Sequence, residues 1–111
     1  MLPNDKYSYR VTWSGEDAEY LGLCAELASL SWLARTPEGA LRGIRKVVAE
    51  TLADLGRHRE PIPQPIATRR YSGRFVVRIP PDEHRRLALE DAEAGVSLNR
   101  LASAKLSHSA K

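Results

Sequence analysis

The stretch "GRFVVRIPPDEH", residues 73–84, decides the fold. Arg74, Val76 and Arg78 alternate with Phe75, Val77 and Ile79, so an extended backbone sends one set to each side. One side is mostly basic and the other apolar. Pro80 and Pro81 end this strand and open a helix, "PDEHRRLALEDAEAG", with Gly95 as its stop. Ser97 caps a second helix, "SLNRLASAKLSHSA", whose apolar face is Leu98, Leu101, Ala102 and Leu106. One strand and two short helices, about 40 residues, bury too little surface to offset chain entropy. The lone strand also leaves an edge unpaired. Two copies answer both difficulties: the strands pair antiparallel across a two-fold axis and four helices enclose a shared core.

The residues upstream read as a separate unit. "YSYRVTW" (7–13) alternates Tyr7, Tyr9, Val11 and Trp13 against Ser8, Arg10 and Thr12, a half-buried strand. "SGED" (14–17) is a turn, a second strand lies around Tyr20 to Cys24, and "LSWLA" (30–34) is a short third. "TPEGALRGIRKVVAETLADLG" (36–56) is a helix, with Thr36 as cap, Pro37 at its first position and Glu38 in its first turn. Its apolar face is Ala40, Leu41, Ile44, Val47, Val48, Thr51, Leu52 and Leu55, and Gly56 is the expected stop. Gly39 and Gly43 weaken it by about 1 kcal/mol each relative to alanine. "HREPIPQPIATRRYSG" (58–73) is a linker, with a short edge strand expected at Ile62 to Ile66.

The order is therefore βββα, linker, βαα, an α+β fold. Residues 1–64 form one domain, 65–72 a linker, and 73–111 a second domain that folds as an intertwined dimer.

Charge divides the same way. The net charge is +3 over 111 residues, but residues 1–64 hold 8 Lys/Arg against 9 Asp/Glu and residues 65–111 hold 9 against 5. A basic C-terminal segment suits nucleic acid. A single cysteine, Cys24, excludes an intramolecular disulfide and points to a reducing, cytoplasmic setting. No run of about 20 apolar residues offers a transmembrane helix, and "MLPNDKYSYR" has no signal-peptide core. His58, His84 and His108 with one cysteine give no metal-ligand spacing, and no cofactor is implied. The N-terminal acids, Glu26 among them, read as solvated surface rather than a two-metal nuclease centre. The aromatic residues Tyr7, Tyr9, Tyr20, Trp13 and Trp32 fit sheet core better than a base-stacking platform.

The C-terminal pattern, "RFVVRIP", a helix, Gly95 and "SLN" opening a second helix, resembles the ribbon-helix-helix DNA-binding fold of the Arc and MetJ repressors. The resemblance implies that Arg74, Val76 and Arg78 read bases in the major groove. It implies that Ser97, Leu98 and Asn99 grip a phosphate at a helix start. Arg69 and Arg70, beside the reading strand, are expected to track the backbone. Phe75, Val77, Ile79, Leu98 and Leu101 would be dimer core. The chain departs from that family at Glu83 and Asp91, where apolar residues are usual.

"EYLGLCAELASLSWLARTPEGALRGIRKVVAETLADL" with "EPIPQP" after it resembles the HicB family of antitoxins, which have a partial RNase H-like βββα domain and often a ribbon-helix-helix domain behind it. The resemblance implies a non-enzymatic antitoxin of a type II toxin-antitoxin system. Such a protein occludes a small HicA-like mRNA-cleaving toxin and represses its own operon on double-stranded operator DNA, as a homodimer or higher oligomer. Trp13 and Trp32, near strand ends, are the expected toxin interface. Two other readings stand beside it: a stand-alone ribbon-helix-helix repressor with an N-terminal sensing or oligomerisation domain, and a nuclease.

Overall fold

Thr36 and Pro37 start the helix on which the first half of the chain is built. In the computed structural model, which describes residues 4–108, Thr36 Oγ1 accepts the Gly39 N–H at 3.0 Å and helix α1 runs Pro37–Arg57. Ala40, Ile44, Val48 and Leu52, four residues apart, are its buried spine, with Gly43 beside them. Leu41, expected on this face, is 39 % exposed, because it lies at the margin of a stripe centred on Ile44 and Val48. The expected stop is also displaced. Gly56 is helical, and the left-handed residue is Arg59, with φ 56°. The Arg59 N–H bonds to the Gly56 carbonyl and the Glu60 N–H to that of Leu55, a Schellman closure without glycine.

Three strands lie under α1: β1 (Tyr9–Ser14), β2 (Glu19–Cys24) and β3 (Ser31–Ala34), antiparallel in the order β1-β2-β3. Tyr7 and Ser8, expected within β1, precede it. Register puts Val11 opposite Gly22 and Gly22 opposite Trp32, so these three share a face. That face meets the helix, since a Cβ on Gly22 would lie 2.5 Å from the Ala40 carbonyl oxygen. The core comprises Tyr7, Cys24, Ile44, Val48 and Leu52, with Tyr9, Leu27 and Leu30 packed against it. No element of this unit covers the opposite face, which carries Thr12, Leu21 and Leu33. A three-stranded antiparallel sheet with one helix, followed by further helices, is a small α+β fold.

The chain divides after Ser72 into two compact units. The second has α2 (Pro81–Ala94) and α3 (Leu98–Ser107). Gly95 closes α2 at φ 71° and donates its N–H to the Asp91 carbonyl at 2.9 Å. Ser97 Oγ accepts the Arg100 N–H at 3.1 Å, capping α3 as the sequence indicates. The expected helix extended to Ala110; α3 ends at Ser107, and Ser109 and Ala110 lie outside the described residues. Neither α2 nor α3 has a buried residue.

Two expected strands do not form. Arg74–Ile79 has no ladder partner among the described residues of the single chain; the strand expected there pairs only with a second copy. Ile62–Ile66 is not a strand either. Pro61, Pro63 and Pro65 remove every second N–H there, and a 3-10 turn at Ile66–Thr68 follows.

Candidate nucleic-acid and partner interfaces

In the second unit, the residues before α2 keep the alternation that the sequence displays. Phe75, Val77 and Ile79 line a groove of about 860 Å³ together with Leu87 of α2 and Leu98 and Ala102 of α3. They are far from sealed, with exposures of 73 %, 59 % and 42 %. Val76, between them, is outside that lining and 89 % exposed. Of the two arginines, Arg74 also borders the groove and Arg78 does not. The apolar set thus converges on the helices, while Val76 and Arg78 are left on the outer side.

Ser97, Leu98 and Asn99 stand at the start of α3. Because Ser97 Oγ occupies the amide of Arg100, the third residue of α3, the N–H groups of Leu98 and Asn99 remain as the unbonded donors typical of a helix start. An anion there would meet two amides and the positive end of the helix dipole. Leu101 is half-buried. Arg70 is exposed, whereas Arg69 is partly committed: its Nε donates to the Gln64 carbonyl at 3.0 Å. Along α2 and α3, Glu90 binds Lys105 at 3.1 Å and Arg86 at 4.0 Å, which ties the two helices together at their surface.

In the first unit, Trp13 and Trp32 are 54 % and 44 % exposed. Trp13 meets Tyr20 edge to face at 5.1 Å, its partner across the β1–β2 ladder. Trp32 lies over Gly43, where a Cβ would come within 2.0 Å of its ring. This explains a glycine that helix propensity alone disfavours. The two tryptophans sit on the outer strands, β1 and β3, about 10 Å apart across β2. They share the helix-side face but do not touch as one patch.

Glu26 is the residue that sequence reasoning missed. It is half-buried just beyond β2, and its carboxylate accepts the Ser8 N–H at 2.9 Å, the Ser8 hydroxyl at 3.0 Å and the Ile66 N–H at 2.8 Å. Tyr7 adds a second tie, its hydroxyl donating to the Pro63 carbonyl. Residues 63–66 are therefore pinned to the first unit by side chains, where a strand ladder was expected. Partial desolvation raises the Glu26 pKa, but the amides of Ile66 and Ser8 and the Ser8 hydroxyl outweigh it and hold the group at about 2, against an ordinary 4.5. A folded-state value below the unfolded one means that the anchor is fully stabilising above about pH 4.5 and is lost as pH falls towards 2. Glu26→Ala is expected to cost about 2 kcal/mol at pH 7, with partial exposure discounted. The gap between wild type and variant should close on acidification below pH 4. Urea midpoints of both proteins across that range check it; a gap that does not change with pH would mean that the carboxylate holds nothing.

Among the described residues, no three His, Cys, Asp or Glu side chains are placed to share a metal ion. No helix among them is long and apolar enough to cross a membrane. Cys24 is buried, and burial pushes its thiol up from the ordinary value, which suits a packed apolar group. The two units thus offer binding surfaces: a sheet with exposed tryptophans and an uncovered face, and an extended basic segment before two helices.

Residues 59–106 match the model of the HicB family. The match runs from the Schellman turn after α1 through the linker, the extended segment and α2 into α3. The sheet of the first unit, where the resemblance was read in the sequence, lies outside it. No curated protein and no solved structure matches the chain.

Proposed function

We propose that this protein is a HicB-family, cytoplasmic antitoxin that works by binding and does no catalysis. Its second unit pairs with that of another chain and binds operator DNA; its first unit holds a small toxin. The observation that supports the DNA reading is the segment Arg74–Ile79, which has no ladder partner among the described residues and lines a groove, through Phe75, Val77 and Ile79, against two helices without a fully buried residue. Pairing with its twin gives an antiparallel ribbon. Val76 and Arg78 then point away from the shared core, and Arg74, which borders the groove in the single chain, turns out with them into the major groove, where an arginine can hold guanine O6 and N7 and a valine can meet a thymine methyl. The free amides of Leu98 and Asn99 take a phosphate, and Arg70 adds backbone contacts.

Toxin binding is assigned to the first unit, with Trp13 and Trp32 as anchors on the two sides of α1. Residues 1–64 hold a slight excess of acids, 9 against 8 Lys/Arg, which complements a basic RNA-cleaving partner. The test is a mobility shift of the full chain on DNA from its own promoter at two salt concentrations. A sequence-specific shift that weakens with salt is expected. A shift equal on unrelated DNA would reduce the second unit to a dimerisation element, and capture of the adjacent gene's product by the first unit would then be the remaining support.

A further inference from the structure

The strap "EPIPQPI", residues 60–66, has its conformation written into it. Each residue from Glu60 to Pro65 is a proline or precedes one, so the helical region is closed to the run and each proline holds φ at about −65°. Pro65 has φ −58° and ψ 134°, close to polyproline II. Pro63 and Pro65 are half-buried, whereas Pro61, Ile62, Gln64 and Ile66 are exposed, so the strap lies on the first unit by alternate residues. Two groups distant in sequence hold it there. The Tyr7 hydroxyl donates to the Pro63 carbonyl, and the Glu26 carboxylate takes the Ile66 N–H at 2.8 Å. Both are set by the unit itself: the Tyr7 ring is packed in the core, and the Ser8 N–H and hydroxyl orient Glu26. A stiff proline-rich segment loses little entropy on docking, and aromatic side chains are its usual readers.

We propose that Tyr7 and Glu26 form a binding site for an extended proline-rich segment, and that the chain's own strap fills it in competition with such a segment of a partner protein. The ligand it selects has a Pro-x-Pro run, a free carbonyl on the first proline and an N–H on the residue after the second. The site needs neither the DNA nor the toxin reading. Its occupant also sets a length. With the strap seated, the chain leaves the body of the first unit at Ile66; with the strap displaced, it leaves at Glu60, whose N–H closes α1. Displacement therefore frees six residues, about 20 Å of extended chain, for the reach of the second unit.

NMR of the full chain tests it, with the synthetic peptide HREPIPQPIATR, residues 58–69, as probe. In a variant with residues 61–66 replaced by Gly-Ser repeats, the peptide should shift the Ser8 and Glu26 amide signals saturably. It should bind there about tenfold more tightly than to wild type, where the strap competes from within the chain. Pro63→Ala with Pro65→Ala in the peptide should weaken binding about fivefold. In the otherwise wild-type chain, Tyr7→Phe keeps the ring and should speed hydrogen exchange of the Ile66 amide about fivefold, although the bond from that amide to Glu26 is untouched. A folded Gly-Ser chain without saturable shifts means that there is no site, and equal binding to wild type means that the strap does not fill it. Should the Gly-Ser chain fail to fold, the Ile66 exchange decides: an unchanged rate in Tyr7→Phe makes the two ties independent and overturns the docked strap.

Discussion

Gly22→Ala is expected to lower the melting temperature of the first unit by roughly 10–20 °C. The added methyl would lie 2.5 Å from the Ala40 carbonyl oxygen and 3.0 Å from Cβ and Cγ2 of Ile44. Both helix residues are fully buried, and the nearest atom belongs to the backbone, so no side chain can swing away. The helix must lift from the central strand of the sheet. Overpacking of this kind costs about 3 kcal/mol, at the upper end of its usual range. For a unit of this size that converts to the stated drop, a large part of its whole stability. Thermal unfolding followed by circular dichroism checks it, and an unchanged melting temperature would mean that α1 does not rest on β2. Gly43 is the instructive contrast. Its missing Cβ meets the ring of Trp32, a side chain at a sheet edge that can turn outward, so alanine there should cost far less.

The second large effect is expected at the ribbon. On the DNA reading, each of Arg74→Ala and Arg78→Ala removes two contacts from a two-chain complex. At about 1–3 kcal/mol per bidentate arginine, either substitution should weaken operator binding by at least tenfold and relax the base preference at the contacted positions. Asn99→Ala should act differently, weakening binding to every sequence alike, because a phosphate contact carries no sequence information. Titrations against the operator and a scrambled duplex separate the two patterns. Equal affinity of wild type and both arginine variants for the operator would remove Arg74–Ile79 from the interface.

How much of this was legible beforehand depends on the range over which each feature is specified. Thr36-Pro37-Glu38 marks a helix start within three residues, Gly95 marks a stop in one, and the alternation from Tyr9 to Trp13 marks a strand in five. All are local; the helix start and stop appear where the sequence puts them, while the strand expected over residues 7–13 begins two residues later, at Tyr9. The helix end was misplaced because Gly56 is only a preference, while the closure depends on which residue is bent back by the linker, and that is Arg59. Gly43 looked like a defect in α1 until Trp32, eleven residues away on another element, was placed over it. Glu26 was the hardest to read. The donor that makes it an anchor is the backbone amide of Ile66, 40 residues on, and backbone amides leave no mark in a sequence. The ribbon segment has the opposite character. Its alternation is plain, but no strand among the described residues pairs with it, and on the proposed reading its pairing belongs to two molecules.

The absence of any buried residue in α2 and α3 has a kinetic side. On the two-chain reading proposed above, this unit gains an interior only on encounter, so its formation is second order in the chain while its loss is first order. Below the dissociation constant the helices fray and become cleavable, and above it they are protected. If that unit also binds operator DNA as proposed, occupancy of the promoter falls more steeply than the protein's abundance. A modest interruption of synthesis would clear the DNA well before the sheet unit, which carries its own core, had disappeared.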